Sequence, residues 1–339
     1  MEKQFFFDSK NLESSLKTFA EKGITEFTLQ DEKILSDKEK LCEFLKSVKK
    51  IIPDLFLILP VNAKILDIQI CKLLGELYCS LEIEFDGTSK DKIYLFDKKF
   101  YSKRMKTLNT NGLVFGFQMN FANLGGDKIK LFFDRLDFAF SLYPNHIDFP
   151  QIQNNSDEKK QTFSKDFKEP KNSATFSSQD IERSKKVCYA CEFFYTYGRS
   201  VTWFLSVLKP LKIAPSVFFE DFWEWQELNH YDIKKNWNSL IENHLQIQKI
   251  QLEFLKFKYE EKNKLQLFEV VKNIVELNGA MSRCYSDGEE SIVEMSYNPE
   301  EILSEQAMNI QSFFENSFME ISHIKVFMNK DGDCDFHYC

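Results

Sequence analysis

Ser80-Leu81-Glu82-Ile83-Glu84-Phe85-Asp86 decides the fold. Alternate residues of an extended chain point to opposite faces, so Glu82 and Glu84 share one face and Ile83 and Phe85 the other. An apolar face needs helices against it, and amphipathic stretches at 66–77 and 97–111 flank the segment. The same unit repeats outward in both directions. Short β-branched or aromatic runs stand at 4–7, 24–30, 55–61, 80–85, 113–119 and 145–149. Helical stretches at 9–22, 37–52, 66–77, 97–111 and 127–142 separate them. In the second of these, Leu41, Phe44, Leu45 and Val48 recur at helical spacing behind a candidate N-cap, Asp37. Gly23 and Gly112 sit where helix C-caps belong.

A repeated strand–helix unit implies a parallel sheet with crossover helices. Six units fit an open doubly wound sheet or a partial barrel. The expected architecture is a partial (β/α)6 TIM-like barrel over residues 1–152. In either form ligands meet the C-terminal ends of the strands. The candidate pocket residues there are Asp31, Glu82, Glu84, Asp86, Gln118, Asn120 and Asp148. Paired carboxylates such as Glu82 and Glu84 can do acid–base work or hold a metal or ammonium group; they can equally line a solvated cavity or pair with lysines. Asn123-Leu124-Gly125-Gly126-Asp127 is either a backbone cradle at a helix N-terminus or a plain turn capped by Asp127.

Residues 153–179 are rich in Asn, Ser, Lys, Asp and Glu and read as a polar linker. From 180 to 339 apolar residues return at three- and four-residue spacing, which predicts a mostly helical domain with a small β-containing tail. Helices are expected at 180–197, 201–208, 216–228, 231–262 and 265–277, and strands at 291–295, 323–328 and 334–338 around the turn Asn329-Lys330-Asp331-Gly332-Asp333.

The 52 acidic residues outnumber 44 basic ones and no long basic run occurs, which argues against a nucleic-acid groove. No apolar stretch is long enough to span a membrane, and no export signal is evident, so a cytoplasmic location is expected. The eight cysteines then read as reduced thiols. Cys188 and Cys191 form a C-x-x-C inside a helical stretch, where two buried core thiols are the simpler reading. With Cys334, His337 and Cys339 they are weak candidates for a metal site. Five histidines are scattered, at 146, 230, 244, 323 and 337, and no H-E-x-x-H, P-loop, G-x-S-x-G or G-x-G-x-x-G occurs.

Several segments resemble the later half of a radical S-adenosylmethionine barrel. They are Phe96-Asp97-Lys98-Lys99-Phe100, residues 108–126, Leu136-Asp137-Phe138-Ala139 and Leu142-Tyr143-Pro144-Asn145-His146-Ile147. The subgroup they resemble is the cobalamin-binding radical-SAM proteins. Gly116-Phe117-Gln118 with Leu124-Gly125-Gly126-Asp127 is similar to that group's fifth strand and turn, and Leu81 to Asp86 to its fourth-strand motif. Residues 183–199, 215–225 and 268–284 and Tyr297-Asn298-Pro299 resemble the helical C-terminal extension of some members.

The resemblance implies a four-iron, four-sulfur cluster held by C-x-x-x-C-x-x-C after the first strand. That triplet is absent, and so is the D-x-H-x-x-G cobalamin signature; the loop after residues 4–7 reads Asp8-Ser9-Lys10-Asn11. The expectation is therefore a cluster-less, radical-SAM-like protein with no cofactor and no catalytic residue assigned. It binds a small ligand or a protein partner, and neither nucleic acid nor membrane. One alternative is a radical-SAM enzyme whose cluster and cobalamin regions lie upstream or on another chain; only then are an iron–sulfur cluster and S-adenosylmethionine implied. Another is an acid–base enzyme built on Glu82, Glu84 and Asp148.

Overall fold

A computed structural model of the chain describes residues 11–152 and 169–339. The candidate strand at 4–7 and most of the polar linker lie outside the described residues. The chain divides into two compact units, Met1–Ile181 and Glu182–Cys339.

The first unit is mixed α/β. Its strands are β1 (Glu26–Thr28), β2 (Phe56–Val61), β3 (Cys79–Glu84), β4 (Thr88–Lys90), β5 (Ile93–Leu95), β6 (Val114–Gln118) and β7 (His146–Asp148). Its helices are α1 (Leu12–Glu21), α2 (Glu32–Leu35), α3 (Lys38–Ile51), α4 (Ile68–Leu74), α5 (Lys98–Thr110) and α6 (Ile129–Phe140). Aspartates open several of these helices. Asp37, Asp67 and Asp97 accept hydrogen bonds from Lys40, Ile70 and Phe100 N–H at 3.2, 3.0 and 2.8 Å, satisfying first-turn donors that lack helical partners.

Five strands pair in parallel in the order β1-β2-β3-β6-β7. The order follows the chain without reversal, unlike a doubly wound sheet. Right-handed crossovers then carry the connecting helices to one face. That face is the core: Leu57, Leu59, Leu81, Ile83, Phe115, Phe117, Ile147 and Phe149 are fully buried. Phe85, just past β3, is its hub, stacked on Phe117 with centroids 4.0 Å apart and edge-on to Tyr101 of α5 at 4.6 Å. Parallel sheets are ordinarily buried on both faces. Here the opposite face carries Pro60, Ser80, Glu82, Glu84, Gln118, His146 and Asp148, several of them half-exposed.

Antiparallel β4 and β5 form a hairpin inserted between β3 and α5. The last part of the polar segment is anchored to its own unit. Lys171 N–H donates to the Ala122 carbonyl at 3.0 Å, Thr175 Oγ1 to the Asp127 carbonyl at 2.8 Å, and buried Phe176 stacks on Phe121.

The second unit is mostly helical. α7 (Ser178–Cys191), which starts in the last residues of the first unit, continues into a π-turn at Glu192–Tyr197, followed by α8 (Phe204–Leu208), α9 (Pro215–Leu228), α10 (Trp237–Ile241), α11 (His244–Glu261) and α12 (Phe268–Asp287). The long helix expected over 231–262 is two helices. His230 and Asp232 take positive φ angles of 59° and 49°, and Asn243 caps α11 afresh. Phe194, in the π-turn, is ringed by Phe218, Phe222 and Phe254 at 4.9, 5.3 and 6.4 Å, which absorbs much of the chain's high Phe content. The wide turn releases the Phe194 and Gly198 carbonyls, and Gln251 Nε2 donates to both, at 2.7 and 3.1 Å.

The tail contains β8 (Ser291–Met295), α13 (Pro299–Leu303), α14 (Ile310–Asn316), β9 (Ser322–Met328) and β10 (Cys334–Tyr338), with the strands antiparallel in the order β10-β9-β8. No described helix is long and apolar enough to cross a membrane.

Candidate functional site on the polar face of the sheet

Register places the polar side chains in rows. Pro60, Glu82, Gly116 and His146 lie side by side across β2, β3, β6 and β7. One step toward the strand ends, Glu84, Gln118 and Asp148 form the next row. Glu82 and Glu84 point to one face because the strand alternates, and His146 and Asp148 do so for the same reason.

Gly116 separates Glu82 from His146, and it is what lets them meet. A Cβ there would stand 1.9 Å from His146 Nε2, so the imidazole occupies the space a side chain would fill. The ring reaches across β6, and Nε2 lies 2.9 Å from Glu82 Oε2. Asp148 Oδ2 stands 3.7 Å from the same nitrogen. One ligand atom from each of Glu82, His146 and Asp148 lies within 4.8 Å of the others. Glu82 is 8% exposed, and Ser80 Oγ donates to its other oxygen at 3.3 Å. His146 and Asp148 are 22% and 19% exposed, so the cluster is recessed but open to solvent.

At the strand ends a second network is sealed inside. Asp86 Oδ1 accepts from Asn120 N–H at 2.9 Å, Oδ2 accepts from Asn120 Nδ2 at 2.7 Å, and Arg135 stands 3.2 Å from Oδ1. The Arg135 and Asp86 side chains are 2% and 6% exposed. Arg135 also donates to the Asn120 carbonyl and the Tyr94 hydroxyl. Burial pushes the Tyr94 phenol up to about 12, so it stays protonated. Asp127, buried beneath the turn, accepts from Ala122 and Lys128 N–H, both at 2.9 Å; burial pushes its carboxyl above the usual range, opposed by Arg135.

The glycine turn serves this network. A Cβ on Gly126, at φ +81°, would meet the Lys92 carbonyl at 2.2 Å, and Ser89 Oγ donates to the Gly125 carbonyl at 2.7 Å. Both glycines admit the β4–β5 hairpin.

The sequence candidates thus divide. Glu82 and Asp148 join in one cluster, with Glu84 and Gln118 in the adjoining row. Asp86 and Asn120 are committed to the Arg135 network. Asp31 caps α2, accepting from Lys33 N–H at 2.9 Å. His146, one of the scattered histidines, completes the cluster; its alternation with Asp148 on one strand was the available signal. Cys188 and Cys191 are buried in α7, Cys334 donates to the Met281 carbonyl at 3.5 Å, His337 packs on Phe327 and Cys339 is exposed. Among the described residues these five do not gather into a metal-ligand group. A groove of about 580 Å³ is lined by Glu13, Lys38, Cys42 and Lys50, but Lys38 and Lys50 pair with Asp67 and Glu13 there.

No family model matches the chain, and no curated protein matches it. Among solved structures it is similar to the radical S-adenosylmethionine methyltransferase TsrM from Kitasatospora setae. One TsrM structure holds cobalamin and a 4Fe-4S cluster, and another holds tryptophan substrate and the SAM analogue aza-SAM. Both match at 14% identity and a TM-score of 0.35 over 42% of this chain. The matches cover 28% and 30% of the TsrM chains, so this chain spans less than a third of their length.

Proposed function

We propose that the polar face of the five-stranded sheet binds a small cationic ligand, and that the chain does so as a radical-SAM-like protein without a cluster of its own. The observation that carries this reading is the convergence of Glu82 and Asp148 on His146 Nε2. Two carboxylates stand beside one imidazole, a donor set suited to a positive charge. Partial burial strengthens any attraction to a cation, because the low local dielectric screens it less. The unreversed strand order supports an arc of a (β/α)6 barrel whose lumen is this polar face. The absence of C-x-x-x-C-x-x-C from the sequence supports the loss of radical chemistry.

A second reading rests on the 2.9 Å contact itself. A buried carboxylate that orients an imidazole is the arrangement of a general base with its positioning group.

Thermal denaturation of the full chain with a panel of small amines and guanidines tests the first reading. At least one cation should raise Tm in the wild type and leave Tm unchanged in Glu82→Gln. Equal shifts in both proteins, or none in the wild type, would remove the binding surface.

A further inference from the structure

We infer that Glu82, His146 and Asp148 form a site for one divalent first-row metal ion of the Mn2+, Fe2+ or Zn2+ class. The inference rests on the cationic-ligand reading and names the ligand.

Nε2 meets two carboxylates at two different distances. Nε2 carries at most one hydrogen, and Glu82 Oε2 at 2.9 Å can accept it. Asp148 Oδ2 faces the same nitrogen from 3.7 Å, too far to share that hydrogen. Three donor atoms turned toward a common point describe one face of a coordination sphere. Ligand atoms about 2.1 Å from a tetrahedral ion stand about 3.4 Å apart. The two measured edges, 2.9 and 3.7 Å, bracket that spacing.

Features around the triad are those of a built site. The Ser80 hydroxyl holds the Glu82 carboxylate from behind at 3.3 Å, as outer-shell hydrogen bonds orient metal ligands. Gly116 is the floor over which the imidazole lies, and any other residue there would push Nε2 aside. One nitrogen and carboxylate oxygens, with no thiolate in the group, suit Mn2+, Fe2+ or Zn2+ rather than a soft ion. Binding uses the Nε2 lone pair, so the neutral ring keeps its hydrogen on Nδ1; an imidazolium releases one proton to solvent as the ion enters.

Titration of the untagged full chain with Mn2+, followed by loss of the free-ion EPR signal, tests the site. Mn2+ is the probe because it disfavours thiolates, which sets the eight cysteines aside. The expected result is one Mn2+ per chain, displaced by Zn2+. Glu82→Gln and His146→Gln should each weaken binding at least ~100-fold, and Glu84→Gln should leave it within about twofold. Gly116→Ala should weaken it while leaving all three ligands in place. Binding that survives Glu82→Gln, or no saturable binding to the wild type, overturns the metal site. If Mn2+ fails while a small amine still raises Tm in a Glu82-dependent way, the metal falls and the cation surface stands. If both fail, both readings fall.

Discussion

His146 reaches Glu82 by lying over Gly116, its Nε2 2.9 Å from Oε2. The contact joins strands on either side of β6, and it exists because the residue between them has no side chain. A sheet whose one face is fully apolar and whose other face holds carboxylates and an imidazole is built asymmetrically. Its stability comes from the apolar face, where each Phe, Leu or Ile contributes roughly 1.5–3 kcal/mol. The polar face, with Glu82, His146 and Asp148, holds the proposed site.

The first prediction concerns that glycine. Gly116→Ala puts a methyl where the imidazole lies and should cost about 1–3 kcal/mol, as overpacking does. The same substitution in a His146→Ala background should cost at least ~1 kcal/mol less, because the obstructing ring is gone. Chemical denaturation of the four proteins measures the coupling. Additive costs would mean that the ring does not occupy this space.

Asp86 and Arg135 form a buried pair whose loss should be felt far more than that of a surface pair. Asp86→Asn removes the negative charge and leaves the guanidinium buried, at an expected cost of about 3–5 kcal/mol. Asp86→Leu combined with Arg135→Met removes both charges and should cost less than the single change. Urea unfolding of both variants decides it; a double variant less stable than the single would contradict a penalty arising from the uncompensated charge.

These two groups show where the sequence is legible. Strands β2, β3 and β6 stand out as short runs rich in apolar residues, and the aspartate cap Asp37 marks the start of α3. Glu82 and Asp148 are legible as polar residues on such strands. Their meeting at His146 is not, since it joins residues 64 apart in the chain and depends on the strand order and on Gly116. The β4–β5 hairpin escapes notice because its turn uses Asp91 and Lys92 at φ 51° and 61° instead of glycine or asparagine. Without the hairpin, Gly125 and Gly126 read equally as a ligand cradle or a plain turn, and Asp86 and Asn120 as pocket residues.

Gly126 gives a prediction that separates close approach from backbone strain. Its φ is +81°, and an added Cβ would strike the Lys92 carbonyl at 2.2 Å, whereas Gly23 at φ +64° has nothing within 4 Å. Gly23→Ala should cost only about 1 kcal/mol of strain. Gly126→Ala should cost at least ~1 kcal/mol more, and should speed hydrogen exchange in the β4–β5 hairpin. Equal costs, with unchanged exchange, would show that the hairpin does not rest on this turn.

The last prediction lies in the helical unit. His244 is buried; its Nε2 donates to the Gly198 carbonyl at 3.4 Å and its Nδ1 accepts from Arg283 at 3.1 Å. Burial, then Arg199 and Arg283, push its pKa from 6.5 down to about 4, with the Gly198 carbonyl and Asp287 opposing. Between those values the unfolded chain binds a proton that the folded chain refuses. The contribution is therefore present in full above pH 6.5 and is lost as pH falls toward 4, by roughly 3 kcal/mol at most. Gln248, which accepts from the same Arg283 nitrogen at 2.7 Å, does not titrate and leaves the window to His244. In His244→Gln, stability measured by urea unfolding at several pH values should fall less steeply across this window than in the wild type. Parallel slopes in the two proteins would mean that His244 takes up its proton as easily folded as unfolded.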